Sequence, residues 1–130
     1  MTDAKKILIA DDEQQLALAL KIRLQSQGYQ VVTARDGQEA LDMAAKEQPD
    51  LVILDVLMPV MDGYSCLREL NTRFGRNKLP VIILTARDRM KDLFELEGIE
   101  DYVIKPFDHE DLLVRIERAF KRRAAKAAAS

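Results

Sequence analysis

The chain has no tryptophan, one cysteine and one histidine. Cys66 has no partner for an internal disulfide, and one sulfur cannot anchor a cysteine metal cluster. No apolar run approaches the length of a signal-peptide core or a membrane span. The short run Ile7 to Ala10 follows a polar N-terminus, so a cytoplasmic, membrane-free protein is expected. Neither sign of charge dominates: 20 basic residues face 22 acidic ones, a formal net charge of −2. That balance gives no reason to expect nucleic-acid binding by the domain as a whole. The chain also lacks repeats, and low complexity is confined to its alanine-rich end.

What it does contain is a regular alternation. At 130 residues it is long enough for one domain with a core of its own. Ile7-Leu8-Ile9-Ala10, Val31-Val32, Leu51-Val52-Ile53-Leu54, Val81-Ile82-Ile83-Leu84 and Tyr102-Val103-Ile104 read as five strands. Most are apolar without alternation, as strands covered on both faces are. Helical spacing fills the gaps. Leu16, Leu20 and Leu24 lie four apart, with Gly28 as a stop. Ala40, Leu41, Ala44 and Ala45 precede Pro49; Leu67, Leu70 and Phe74 precede Gly75; Met90, Leu93, Phe94 and Glu97 precede Gly98. Asp108 can cap a fifth helix striped by Leu112, Leu113, Ile116, Ala119 and Phe120. Five strands alternating with five helices predict an α/β fold, doubly wound around a parallel sheet by right-handed crossovers. Such folds bind ligands at the carboxyl ends of their strands.

The strand ends are where chemistry-bearing residues fall. Asp11-Asp12-Glu13 follow the first strand, Asp55 the third, Thr85 the fourth, and Lys105-Pro106 the fifth. Acidic groups held together repel one another and favour a divalent cation, and hard oxygen ligands suit Mg²⁺. A lysine supplies a point charge for phosphoryl oxygens, and a threonine hydroxyl a further hydrogen bond. A carboxylate beside them can act as a nucleophile and form an acyl phosphate. Singly, the residues have plainer readings. The acidic run could cap a helix, Asp55 a turn, and Tyr102 the rim of the core. His109 in a polar helix start reads as a surface residue, Cys66 as a small buried hydrophobe, and Met58 and Met61 beside Pro59 as loop packing. Lys121-Arg122-Arg123 reads as a basic last turn facing the helix dipole.

At these positions the sequence resembles the response-regulator receiver family of two-component signalling. The matching stretches are Ile9 to Glu13, Leu54 to Gly63 (with Met58-Pro59-Val60-Met61-Asp62-Gly63), Leu84-Thr85-Ala86, and Asp101 to Phe107. The resemblance runs from Lys5 to Arg123. It implies a receiver domain over residues 1–123, with 124–130 as an alanine-rich tail or the start of a linker. It also implies a flavodoxin-like sheet of order 2-1-3-4-5.

The same resemblance implies roles for residues. Asp55 would be the phosphoacceptor. Asp12 would bind Mg²⁺ directly, Asp11 mainly through water, and the backbone carbonyl of Leu57 would join Asp55 as a ligand. Thr85 and Lys105 would bind phosphoryl oxygens, and Thr85 and Tyr102 would form the switch. Lys105-Pro106 is a cis-peptide candidate. Leu57 and Arg87 lie where side chains can shield the acyl phosphate. The implied partners are a sensor histidine kinase or phosphotransfer protein upstream, and a protein target or effector domain downstream. The implied catalysis is limited to the domain's own phosphorylation and dephosphorylation. Between Thr85 and Lys105 the chain is about two residues shorter than the family pattern, on the face of fourth helix, fifth strand and fifth helix that would carry the signal. Two alternatives are weaker. A non-phosphorylated binding module would not need the full set of residues. A haloacid-dehalogenase-like phosphatase would place an aspartate where Leu57 stands.

Overall fold

Main-chain groups of an apolar segment must find partners once buried, and parallel strands covered on both faces satisfy them. In the computed structural model, which describes residues 4–58, 60–76, 78–86 and 91–129, the five apolar runs do this. The elements are β1 (Lys6–Ala10), α1 (Gln14–Ser26), β2 (Gln30–Ala34), α2 (Gly37–Glu47), β3 (Leu51–Asp55), α3 (Gly63–Phe74), β4 (Val81–Thr85), α4 (Lys91–Glu97), β5 (Asp101–Ile104) and α5 (His109–Ala129). All strand pairs are parallel, in the order β2-β1-β3-β4-β5. The chain reverses its direction of travel across the sheet at β1, which places the switch point between β1 and β3. Pro59, Arg87 and Met90 lie outside the described residues.

Alternate strand residues feed two cores. Leu8, Val52, Leu54 and Ile83 pack against Ala40, Leu41, Cys66, Leu67, Leu70 and Phe94 of α2, α3 and α4. On the other face Ile7, Ile9, Ile53, Ile82 and Leu84 meet Leu20, Leu24, Leu112 and Ile116 of α1 and α5. Cys66 is fully buried, and this burial pushes its thiol up to about 12. Met58 and Met61 pack partly buried against the first core.

Local signals account for most helix ends. Asp36 and Asp62 cap α2 and α3, accepting from the Glu39 and Ser65 amides at 2.8 and 2.9 Å. Asp108 accepts from the Glu110 amide at 3.0 Å at the start of α5. Gly75 follows α3 at φ 92° and Gly98 follows α4 at φ 94°, backbone conformations that favour glycine.

One sequence expectation is refined and one needs correction. In α1 the spacing of Leu16, Leu20 and Leu24 does mark the inward side: Leu20 and Leu24 are buried and Leu16 packs at the margin of the same core, with Ala17 joining them, while Leu18 and Ile22 are exposed. In α5, Lys121-Arg122-Arg123 do not form the last turn, because the alanine-rich segment continues the helix to Ala129. Alanine has the highest helix propensity and needs no tertiary contact to extend a helix already nucleated. Arg122 and Arg123 instead pair with Glu100, at 2.7 and 3.0 Å.

Candidate functional site

Three main-chain bonds hold the strand ends level. The Asp11 amide donates to the Ala34 carbonyl (3.0 Å), Val56 to Leu84 (3.2 Å) and Lys105 to Thr85 (2.7 Å), each extending a ladder past its last paired residue. The side chains that follow therefore leave the sheet along one edge. Asp11 and Asp55 are buried, at 1% and 5% exposure, while Asp12 is open to solvent. One oxygen from each of Asp11, Asp12 and Asp55 lies within 4.8 Å of the others, a spacing that could hold a cation.

Lys105 completes the group. Its ammonium lies 3.3 Å from Asp11 Oδ2, 3.3 Å from Glu13 Oε1 and 3.5 Å from Asp55 Oδ1. The peptide bond from Lys105 to Pro106 is cis, as the sequence suggested. The other oxygen of Asp11 accepts from the Glu13 amide at 2.9 Å. Thr85 is buried and stands one residue beyond Leu84, the register partner of Asp55.

Electrostatics at this edge are strained. Burial, then the Asp11 charge, raises the Asp55 carboxyl from its usual 3.8 to about 6, against the opposing pull of Lys105. Burial alone would lower the Lys105 ammonium, but Asp11, Asp55 and Glu13 outweigh it and hold the group above its usual value. A carboxylate with a raised value, beside an ammonium and two further carboxylates, has the pattern of a functional site.

Not every predicted residue joins the cluster. Tyr102 pairs with Ile83, deeper in the sheet, and its ring is buried 6.0 Å from that of Phe94. Leu57 follows β3 with its side chain 56% exposed. His109 is half-buried, beside the Phe107 ring.

Two residues acquire roles that the sequence reading did not give them. Glu13 reaches Lys105, although a helix-capping role was the natural expectation for it. Gly63 is a close approach: a Cβ there would lie 2.5 Å from the Asp55 carbonyl oxygen and 2.7 Å from Val56 Cα. The Asp62-Gly63 pair carried that signal, a cap followed by a residue without a side chain. An apolar cavity of about 280 Å³ lies at the opposite sheet edge, lined by Ala44, Pro49, Phe74 and Leu79 among others.

Comparison with known proteins identifies the family of the chain. The family model of the response regulator receiver domain matches residues 7–117. A curated relative from Guillardia theta, called probable transcriptional regulator ycf27, is 46% identical over 128 residues. That match covers 97% of this chain and 49% of the relative, so the chain spans about half the relative's length. Among solved structures, the receiver domain of Francisella response regulator 1452 is 34% identical, with a TM-score of 0.83, covering 92% of this chain and 98% of that one. The response regulator TrrA of Thermotoga maritima, solved in complex with Mg²⁺ and BeF, is also 34% identical, with a TM-score of 0.79 and coverage of 88% and 98%. With that match, the flavodoxin-like sheet order and the acidic edge beside Lys105, the chain belongs to the response regulator receiver domain family of two-component signalling.

Proposed function

We propose that this domain is a Mg²⁺-dependent phospho-receiver in which Asp55 accepts a phosphoryl group. The observation that carries the reading is the sharing of one ammonium, Lys105, between Asp11, Glu13 and Asp55 at the edge where Asp12 also converges. The donor is a phosphohistidine on a sensor histidine kinase or phosphotransfer protein. An Asp55 carboxylate oxygen attacks phosphorus and forms an O–P bond. The P–N bond to the donor imidazole breaks, its electron pair stays on nitrogen, and that nitrogen takes up a proton from solvent. Hydrolysis by water then returns the carboxylate and inorganic phosphate. The domain thus catalyses only its own phosphorylation and dephosphorylation.

The donor set fits a hard divalent cation. Asp11, Asp12 and Asp55 offer carboxylate oxygens in one place, and the Leu57 carbonyl is the further ligand in this reading. Bound Mg²⁺ supplies positive charge against the phosphoryl oxygens. Lys105 holds a phosphoryl oxygen as a fixed cation, and the Thr85 hydroxyl donates to another. Movement of Thr85 couples to Tyr102 across the β4-β5 ladder, which biases the α4-β5-α5 face between two arrangements. A downstream protein, or an effector domain of a longer chain, reads that face; the relative's description as a transcriptional regulator supports an effector. The domain's net charge of −2 supports no direct contact with nucleic acid. Among the described residues no helix is long and apolar enough to cross a membrane, and the domain works in the cytoplasm in this reading.

The test is Asp55→Asn with acetyl phosphate and Mg²⁺. The parent protein should gain one phosphoryl group by intact mass and the variant none. Uptake persisting on the variant would sink the assignment.

A further inference from the structure

Glu13 occupies a helix N-cap position yet makes no side-chain cap bond. Its carbonyl starts α1 by accepting from the Ala17 amide at 3.0 Å, and its amide is held by Asp11. The backbone is thus fixed at both ends, and the carboxylate turns away from its own helix to Lys105. An ammonium has three N–H donors. Here three carboxylates surround it, so an arriving phosphoryl oxygen needs one of them to give way. Asp11 and Asp55 are buried on strand ends, whereas the Glu13 side chain is 63% exposed at the rim.

Charge sets the consequence. Among the described residues, Asp11, Asp12, Glu13 and Asp55 against Lys105 leave three negative charges at the edge, and a divalent cation would leave one. Without Glu13 that remainder would be zero. We infer that Glu13 is a specificity-determining residue: it occupies Lys105 at the rim and places a repulsive charge in the path of the phosphodonor. It disfavours free, highly anionic donors relative to a phosphoryl group of lower charge. The inference rests on the proposed phosphoryl transfer to Asp55. Glu13 acts as a positioning residue through Lys105 and as a screenable charge, not as a nucleophile or metal ligand.

Two small donors of different charge separate these roles at neutral pH or just below it: acetyl phosphate, there a dianion, and phosphoramidate, there a zwitterion of net charge minus one. Rates of uptake with saturating Mg²⁺ are compared for the parent and Glu13→Gln, which keeps the shape and removes the charge. The variant should take up phosphoryl from acetyl phosphate about three- to tenfold faster, the range expected of one exposed charge at contact distance. Its gain with phosphoramidate should be smaller, and added salt should shrink both gains. Equal changes with the two donors, no change, slower uptake, or gains insensitive to salt would each overturn the inference. Circular dichroism of the variant, whose substitution is at an exposed side chain, verifies that it is folded. If the parent takes phosphoryl from neither donor, the reading of Asp55 fails first, and that result is distinct from the Glu13 outcomes.

Discussion

Replacing Asp55 with asparagine should make the metal-free protein more stable at neutral pH, although it removes a partner of Lys105. The carboxyl is raised from 3.8 to about 6, so the folded state holds its proton more tightly than the unfolded chain does. Between about pH 4 and pH 6 the native state therefore binds more protons, and stability falls as pH rises through that window. Above it, both states carry the charge and the folded state bears the full penalty. Two pH units correspond to about 3 kcal/mol. The site opens to solvent beside Asp12 and Glu13, which screens part of this, so about 1–3 kcal/mol is the expected gain for Asp55→Asn.

Urea unfolding followed by far-ultraviolet circular dichroism, in EDTA, reads the difference directly. At about pH 7.5 the variant should be the more stable, with a melting point ~5–10 °C higher. At about pH 4 most of the gap should be gone, since Asp55 is then protonated in the folded state and close to half-protonated in the unfolded chain, and at about pH 3 it should close. The other carboxylates titrate alike in the two proteins and cancel in the difference. Saturating Mg²⁺ should narrow the gap from the other side, by stabilising the parent about 2.7 kcal/mol at a hundred times its dissociation constant. A variant less stable than the parent at neutral pH would show that the 3.5 Å pairing with Lys105 outweighs burial and the Asp11 charge. A gap that does not change with pH would equally refute the reasoning.

Two further substitutions probe the supports of the site. Gly63→Ala drives a Cβ into the Asp55 carbonyl and Val56 Cα, backbone atoms that cannot swing aside. It should lose about 1–3 kcal/mol in urea unfolding and slow phosphoryl uptake; parent-like behaviour on both would disprove the close approach. Glu100→Gln removes the pairings with Arg122 and Arg123 from a side chain only 10% exposed. Amide hydrogen exchange should speed up across residues 121–129 while the sheet stays protected, with about 1–2 kcal/mol lost locally. Unchanged exchange there would mean that the alanine-rich turns hold themselves.

Strands and strand ends were legible because burial on both faces leaves one kind of sequence, a short Val-, Ile- and Leu-rich run, and because polar residues must resume where the sheet stops. Asp11, Asp55, Thr85 and Lys105 were therefore located by counting to the end of each run. The capping role of Asp108 is equally local. The inward side of α1 was legible in Leu20 and Leu24, but Ala17 was not, because a small residue gives little signal beside exposed Leu18 and Ile22. The end of α5 was left open, between helix extension, a frayed tail and a linker, because alanine extends a helix without displaying a pattern. The Glu13–Lys105 contact joins residues 92 apart in sequence, and only the assembled sheet brings them together.

The destabilised edge and the site are the same residues, and that identity explains how a small chemical event could reach a distant face. Asp55 is held ionised against its surroundings by the rigidity of β3, whose register is locked by β1 and β4. A cation that offsets the negative charge there would recover free energy, so its binding would be linked to conformation by the same term that lowers stability without it, whereas a phosphoryl group adds negative charge and would make the edge more dependent on the cation and Lys105. A path outward exists in contacts. The backbone of Asp55 touches α3 at Gly63. Farther along α3, Asn71 donates to the Glu97 carbonyl at 2.6 Å and Tyr64 to the Glu97 carboxylate at 2.9 Å, at the last turn of α4. Arg76 donates to the Leu96 carbonyl at 2.6 Å, so α4 has its C-terminal end held by side chains on and just beyond α3. Beneath it Phe94 lies between the rings of Tyr64 and Tyr102. These contacts fit the proposed switch: they tie α4 to α3 and β5, the two elements through which a change at Asp55 and Thr85 would arrive.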